Sequence, residues 1–144
     1  MVPQRQAGGH SRLNQEATDL WVRALQAFQT AKRLSSTDPD ASSSRSYYAA
    51  FYAVSALFVV EGKTFTRHSA LEISIHRDLV RTGRWPTDLG EDYAFLLRLR
   101  STGDYGGHMH VSPEEADDAV RAARRVLQAV RQASPQSFTD LESD

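Results

Sequence analysis

Apolar residues recur along most of this chain with a period near 3.6, and no stretch alternates with a period of two. The first stripe opens at Leu13 and continues through Ala17, Leu20, Trp21, Ala24, Phe28 and Ala31. Asn14 or Ser11 is placed to cap it, and Lys32 and Arg33 suit its last turn. Asp38-Pro39 is a start signal: a carboxylate that can accept an orphan N–H, then a proline in the first turn. The helix it opens is apolar almost all round from Tyr47 to Val60 and stops at Gly62. A helix with no wet face is central to a bundle or lies in an interface. Its alanines at 49, 50, 53 and 56 allow a neighbouring backbone to come close.

After a linker over 63–66, in which Thr66 is a candidate cap, a third helix is predicted from about Arg67 to Arg81. Trp85-Pro86 makes a turn, with Trp85 plugging the end of the bundle. Asp88 and Glu91 have capping-box spacing and open a fourth helix that runs to about Thr102. Ser112-Pro113-Glu114-Glu115 opens a fifth, whose stripe includes Ala116, Val120, Ala123, Leu127 and Val130. Arg121, Arg124, Arg125 and Arg131 lie off that stripe, as a solvated face or one that tracks phosphates. Residues 1–11 read as a disordered leader and 134–144 as a disordered acidic tail, which leaves 12–133 as the folded domain. The expected fold is all-α, an up-and-down bundle of about five helices with short antiparallel connections.

Composition narrows the chemistry. The 144 residues carry a net charge of −1, with 40% hydrophobic and 24% charged residues, the profile of a globular domain. There is no cysteine, so disulfides and thiol chemistry are excluded. No apolar run is long enough for a membrane span, and the N-terminus lacks a secretory h-region, which points to the cytoplasm. Glu72 and His76 are one residue too far apart for a di-iron Glu-x-x-His pair, and His108-Met109-His110 is a weak metal signal. Gly106-Gly107 lacks the strand and the Lys-Ser/Thr of a phosphate loop. No metal or other cofactor is indicated.

The chemistry that remains gathers at the end of the fourth helix. Tyr93, Leu96, Leu97, Arg100 and Asp104 share one stripe, which places Arg100 on a face its neighbours mark as buried. A guanidinium keeps its charge, so a covered Arg100 needs an anion, and Asp104 at i+4 can supply one. The pair is either an intrahelical ion pair or part of an anion site. Tyr105 and His108 follow where Gly103, Gly106 and Gly107 release the helix. Arg45, Tyr48 and Tyr52 on the second helix, and Arg67 and His68 at the start of the third, are the further binding candidates. Their alternatives are a packed tyrosine core and a structural imidazole.

Ser44 to Ala53, with Arg45, Tyr47, Tyr48 and Tyr52 inside it, resembles the second-helix signature of the HEPN domain family. Glu61-Gly62-Lys63 and Arg67-His68-Ser69 resemble the segment after it, and Arg100-Ser101-Thr102-Gly103-Asp104-Tyr105 resembles the Arg-x3-Asp-Tyr motif of one prokaryotic branch. The likeness runs from about Leu13 to Arg131. It implies a two-fold homodimer whose polar motifs meet at the dimer cleft. It also implies metal-independent endoribonuclease activity, often as a toxin paired with a nucleotidyltransferase antitoxin that transfers nucleotide to a tyrosine near the motif. In that pattern an arginine steadies the scissile phosphate and a histidine a short spacer later moves protons. Here Tyr105 stands where the nearest histidine would, and His108 lies eight positions after Arg100. Two expectations stay open: a ribonuclease using Arg100, Asp104, Tyr105 and His108, or a non-catalytic module that binds nucleotide, RNA or a partner nucleotidyltransferase through the same cleft.

Overall fold

A computed structural model describes residues 2–63 and 67–142, with side chains from residue 12 onward. Five α-helices follow one another: α1 (Val2–Leu34), α2 (Pro39–Val60), α3 (His68–Ser74), α4 (Thr87–Tyr105) and α5 (Pro113–Ala133). No strand is present among the described residues. The all-α bundle follows from the uniform 3.6-residue period.

α2 is the central element. It packs against α1, α4 and α5, which is why a wet face is missing from its sequence. Ala49, Ala50, Ala53 and Ala56 are fully buried. Three serines in its first turns are buried as well, although their polarity reads as exposed. Ser42 resolves this by donating to the Ala31 carbonyl on α1 (2.7 Å), and Ser43 by donating to the Asp40 carbonyl (2.9 Å). The start signal works as expected: Asp38 accepts from the Ala41 N–H at 3.2 Å with Pro39 in the first turn. Gly62 ends the helix in the left-handed region, φ 84°. At α5, Ser112 and Glu115 form both halves of the capping box, each bond 3.0 Å.

Four local expectations are corrected. α1 begins at Val2, so its backbone takes in most of the stretch read as a leader; Pro3 costs no hydrogen bond in a first turn. Asp88 and Glu91 do not form a capping box: α4 opens at Thr87 behind Pro86, which puts Asp88 inside the first turn. The third helix is not uniform, for α3 passes into a π-helical segment at Ile75–Val80, closed by Arg81 N–H to the His76 carbonyl. This wider turn buries Ile75 and Leu79 and brings His76 and Val80 against Gly90 of α4. Thr66, the expected cap of that helix, lies outside the described residues.

The acidic tail is the fourth correction, because residues 134–142 are packed. Phe138 is buried against Trp21, ring centroids 4.9 Å apart, and Leu141 is buried with it. The Trp21 indole N–H donates to Thr139 at 3.2 Å, the partner that a buried indole needs. Asp140 pairs with Arg131 (2.9 Å), and Glu142 pairs with Arg124 and Lys32. The arginines off the α5 stripe are therefore met by carboxylates: these two by the tail, Arg125 by Asp92 of α4, and Arg121 by Asp118. Trp85 is buried at the turn, as its place in the sequence suggests.

Candidate functional site

The end of α4, the start of α3 and the middle of α2 converge on Arg100. Close approach of α4 to α2 makes this possible. A Cβ on Gly103 would fall 2.8 Å from the Asp40 carbonyl oxygen and 3.0 Å from Ser43 Oγ, so the position admits no side chain without movement. Asp40 also holds the loop after α4, accepting from the Val111 N–H at 2.8 Å and meeting His110 Nδ1 at 2.6 Å. Burial opposes the charge of Asp40, but the Val111 and His110 contacts outweigh it and hold its carboxyl below the usual range.

The Arg100 side chain is only 20% exposed. One nitrogen of its fork donates to the Tyr48 hydroxyl at 3.0 Å. Its Nε lies 3.1 Å from Asp104 Oδ2, yet that buried N–H is not aligned for a hydrogen bond. The guanidinium carbon sits 5.6, 5.5 and 5.5 Å from the ring centroids of Tyr47, Tyr48 and Tyr105. Each such contact is worth about 0.5–1 kcal/mol near a surface. Burial disfavours the charge, but Tyr48, Tyr105 and Asp104 outweigh it and keep Arg100 protonated. By contrast, Arg125 gives two aligned hydrogen bonds to the carboxylate of Asp92, at 2.8 and 2.9 Å, and Arg77 does the same to Asp78. Arg100 has aromatic rings where those arginines have a second carboxylate oxygen.

His68 joins the cluster from α3. Its Nδ1 lies 2.8 Å from the Tyr47 hydroxyl, and its ring stacks on Phe51 at 4.1 Å and 15°. Its edge also meets Tyr48, the residue that holds Arg100. Burial, and then the charge of Arg100, lower its pKa and favour the neutral imidazole. Burial also raises the Tyr47 hydroxyl, and the Tyr93 hydroxyl well above its ordinary value. Tyr93 itself has no partner in hydrogen-bond geometry.

Of the residues singled out in the sequence, the structure brings together Arg100, Asp104, Tyr105, Tyr48, Arg45 and His68. Arg45 stacks over the outer part of the cluster, 5.0 Å from the Tyr48 ring. Tyr105 is 73% exposed, an open aromatic face beside a fixed cation. Tyr52 lies further out. It lines a groove of about 280 Å³ between α1 and α2 with Arg23 and Arg45, and Arg23 sits 5.9 Å from its ring. Neither Arg23 nor Arg45 pairs with a described carboxylate. Arg67 is exposed ahead of α3, and His108 is exposed in the loop after α4; neither side chain makes a hydrogen bond, ion pair or ring contact with a described residue. Tyr47, the anchor of His68, was not among the binding candidates. Its signal was its place beside Tyr48 at the start of an all-apolar run. Arg23 gave no signal, because only the packing of α1 on α2 brings it near Tyr52. Among the described residues no three His, Asp or Glu side chains are grouped as metal ligands.

A family model described as the HEPN domain matches residues 17–133. The chain belongs to the HEPN domain family. Two relatives bear the name UPF0332 protein. One, from Thermotoga maritima, is 38% identical over 60% of this chain and 65% of its own length. The other, from Gloeobacter violaceus, is 34% identical over 78% of this chain and 91% of its own. The match thus covers just under two thirds of the Thermotoga relative. Within this HEPN bundle the Arg100 cluster is formed by the signature segments of α2, α3 and α4. No described helix is long and apolar enough to cross a membrane.

Proposed function

We propose that this HEPN domain binds RNA at the Arg100 cluster and cleaves it without a metal, as the toxin-like member of a pair with a nucleotidyltransferase. The carrying observation is the state of Arg100. Its side chain is mostly covered, Tyr48 holds one end of its fork, and the one carboxylate beside it is misaligned, which leaves Nε without a hydrogen bond. Such a group takes a phosphodiester oxygen with charge-assisted hydrogen bonds worth about 1.5–3 kcal/mol each. Tyr105 offers a face on which a base stacks, worth about 1–3 kcal/mol. Arg45 and Arg23 continue the cationic and aromatic lining toward the α1–α2 groove. In this reading two copies face each other and close the cleft, Asp104 orients Arg100, and the exposed Tyr105 hydroxyl is the group a nucleotidyltransferase would modify. His108 has no part in it.

The test is cleavage of RNA in excess EDTA, wild type beside Arg100→Ala, with the mass of the assembly measured in parallel. Cleavage by a dimer, lost in the variant, is expected; equal cleavage by both proteins refutes the assignment. The isolation of His108 favours a second reading, a HEPN module that binds RNA, nucleotide or its partner without cutting. Binding that depends on Arg100, with no cleavage by wild type, would select it.

A further inference from the structure

Strand cleavage by a ribose 2′-hydroxyl needs a group that takes a proton near neutral pH. A phenol is a poor base near neutral pH, and burial raises Tyr47 and Tyr93 further. Asp104 is turned toward Arg100 and Ser44. One imidazole is in place, and it comes from a different helix than the Arg100 motif. Resting on the ribonuclease reading above, we propose that His68 is the general base of this site and that Tyr47 is its positioning residue.

The geometry carries the assignment. Phe51 holds the imidazole plane at 4.1 Å, and Tyr47 fixes one nitrogen at 2.8 Å. In the tautomer this assignment requires, Nδ1–H donates to the Tyr47 oxygen and Nε2 keeps its lone pair for the substrate. His68 and Arg100 both contact the rings of Tyr47 and Tyr48, so a phosphate on Arg100 brings its ribose to the imidazole. Nε2 takes the 2′-hydroxyl proton, the 2′-oxygen bonds to phosphorus, and the bond from phosphorus to the 5′-oxygen breaks. The 5′-oxygen takes a proton from water, and the imidazolium returns its own to solvent. The products are a 2′,3′-cyclic phosphate and a 5′-hydroxyl, with no other reactant. Burial and then the charge of Arg100 from α4 act on the imidazole itself; the other titratable groups around it are Tyr47 and Tyr48 from α2 and, acting on Tyr47, Tyr93 from α4 and Glu72 on α3.

The experiment is the pH profile of kcat/KM for RNA cleavage by the full chain in EDTA: wild type, His68→Gln, Tyr47→Phe, and His68→Ala with added imidazole. Wild type should show an ascending limb below the ordinary imidazole midpoint of about 6.5. His68→Gln should lose about 100-fold or more in kcat, with KM little changed and the limb gone. Imidazole should restore part of the His68→Ala rate. Tyr47→Phe should lower kcat by about 10-fold with the limb retained, because the wrong tautomer becomes populated. Active wild type with a His68→Gln profile that keeps its limb overturns the role of His68 alone. Inactive wild type overturns this inference together with the ribonuclease reading. If the His68 variants do not fold, the wild-type profile decides, and absence of the limb overturns the assignment. The products add a check, since a 2′,3′-cyclic end supports the step and a 5′-phosphate overturns it.

Discussion

Gly103→Ala sets helix propensity against helix packing at one atom. In an isolated helix the change is favourable by about 1 kcal/mol, since alanine gives up less backbone freedom than glycine. In this bundle the new methyl lands 2.8 Å from the Asp40 carbonyl oxygen and 3.3 Å from its carbon. Ordinary carbon–oxygen contacts begin at roughly 3.3 Å, so α4 must lift by about 0.5 Å. The obstacle is backbone and does not yield easily, because Asp40 is tied to Val111 and His110. Overpacking of this kind costs about 1–3 kcal/mol. The net expectation is a loss near 1 kcal/mol, or about 3–5 °C in thermal midpoint for a domain of this size. Thermal unfolding followed by far-UV circular dichroism measures it. Adding Ser43→Ala removes the 3.0 Å contact but not the closer one, so the double variant should recover little. Arg100 and Asp104 flank the position, so RNA affinity should fall beyond what stability explains. A variant that gains about 1 kcal/mol would show that α4 does not press on α2 here, and the geometry of the site would fall with it.

Other expectations follow from single contacts. Tyr48→Phe keeps the ring beneath Arg100 but removes the 3.0 Å acceptor, so RNA affinity should drop several-fold with little change in melting temperature; filter binding measures the first. Phe138→Ala should lower the thermal midpoint and red-shift Trp21 emission in a Trp85→Phe background, by less than the roughly 3–5 kcal/mol of an enclosed core, because a chain end can peel away. Unchanged emission would mean that the tail does not dock. Asp40 has a folded pKa below its ordinary value, so its contribution is present above about pH 4 and is lost as pH falls through the folded value. Asp40→Asn should be less stable than wild type at neutral pH, and the gap should close in acid. A gap that persists at pH 2 to 3 would contradict this, measured as denaturant midpoints across roughly that range.

The sequence alone determined whatever depends on neighbours within a turn or two. The all-round apolar run of α2 marked a helix that is either central to the bundle or in an interface, and its packing against α1, α4 and α5 makes it central. Asp38-Pro39 and Ser112…Glu115 marked two helix starts, because a cap is a bond across three residues. The stripe that carries Arg100 with Asp104 came from the 3.6-residue period alone. Even at this range spacing can mislead. Asp88 and Glu91 have the right spacing for a box, but the helix opens before them, and spacing does not say where the first turn falls. Tertiary structure decided which imidazole lies beside the Arg100 cluster. His108 is nearer along the chain, yet Gly106 and Gly107 carry it into an exposed loop, while His68 is brought in by the packing of α3 and α4 on α2. It also folded the acidic tail, whose Phe138 and Leu141 were too sparse to form a stripe until Trp21 offered a surface and an indole N–H. Periodicity says which face of a helix is buried. Which residues of a second helix meet that face depends on how the surfaces interlock, and that is a property of the packed bundle.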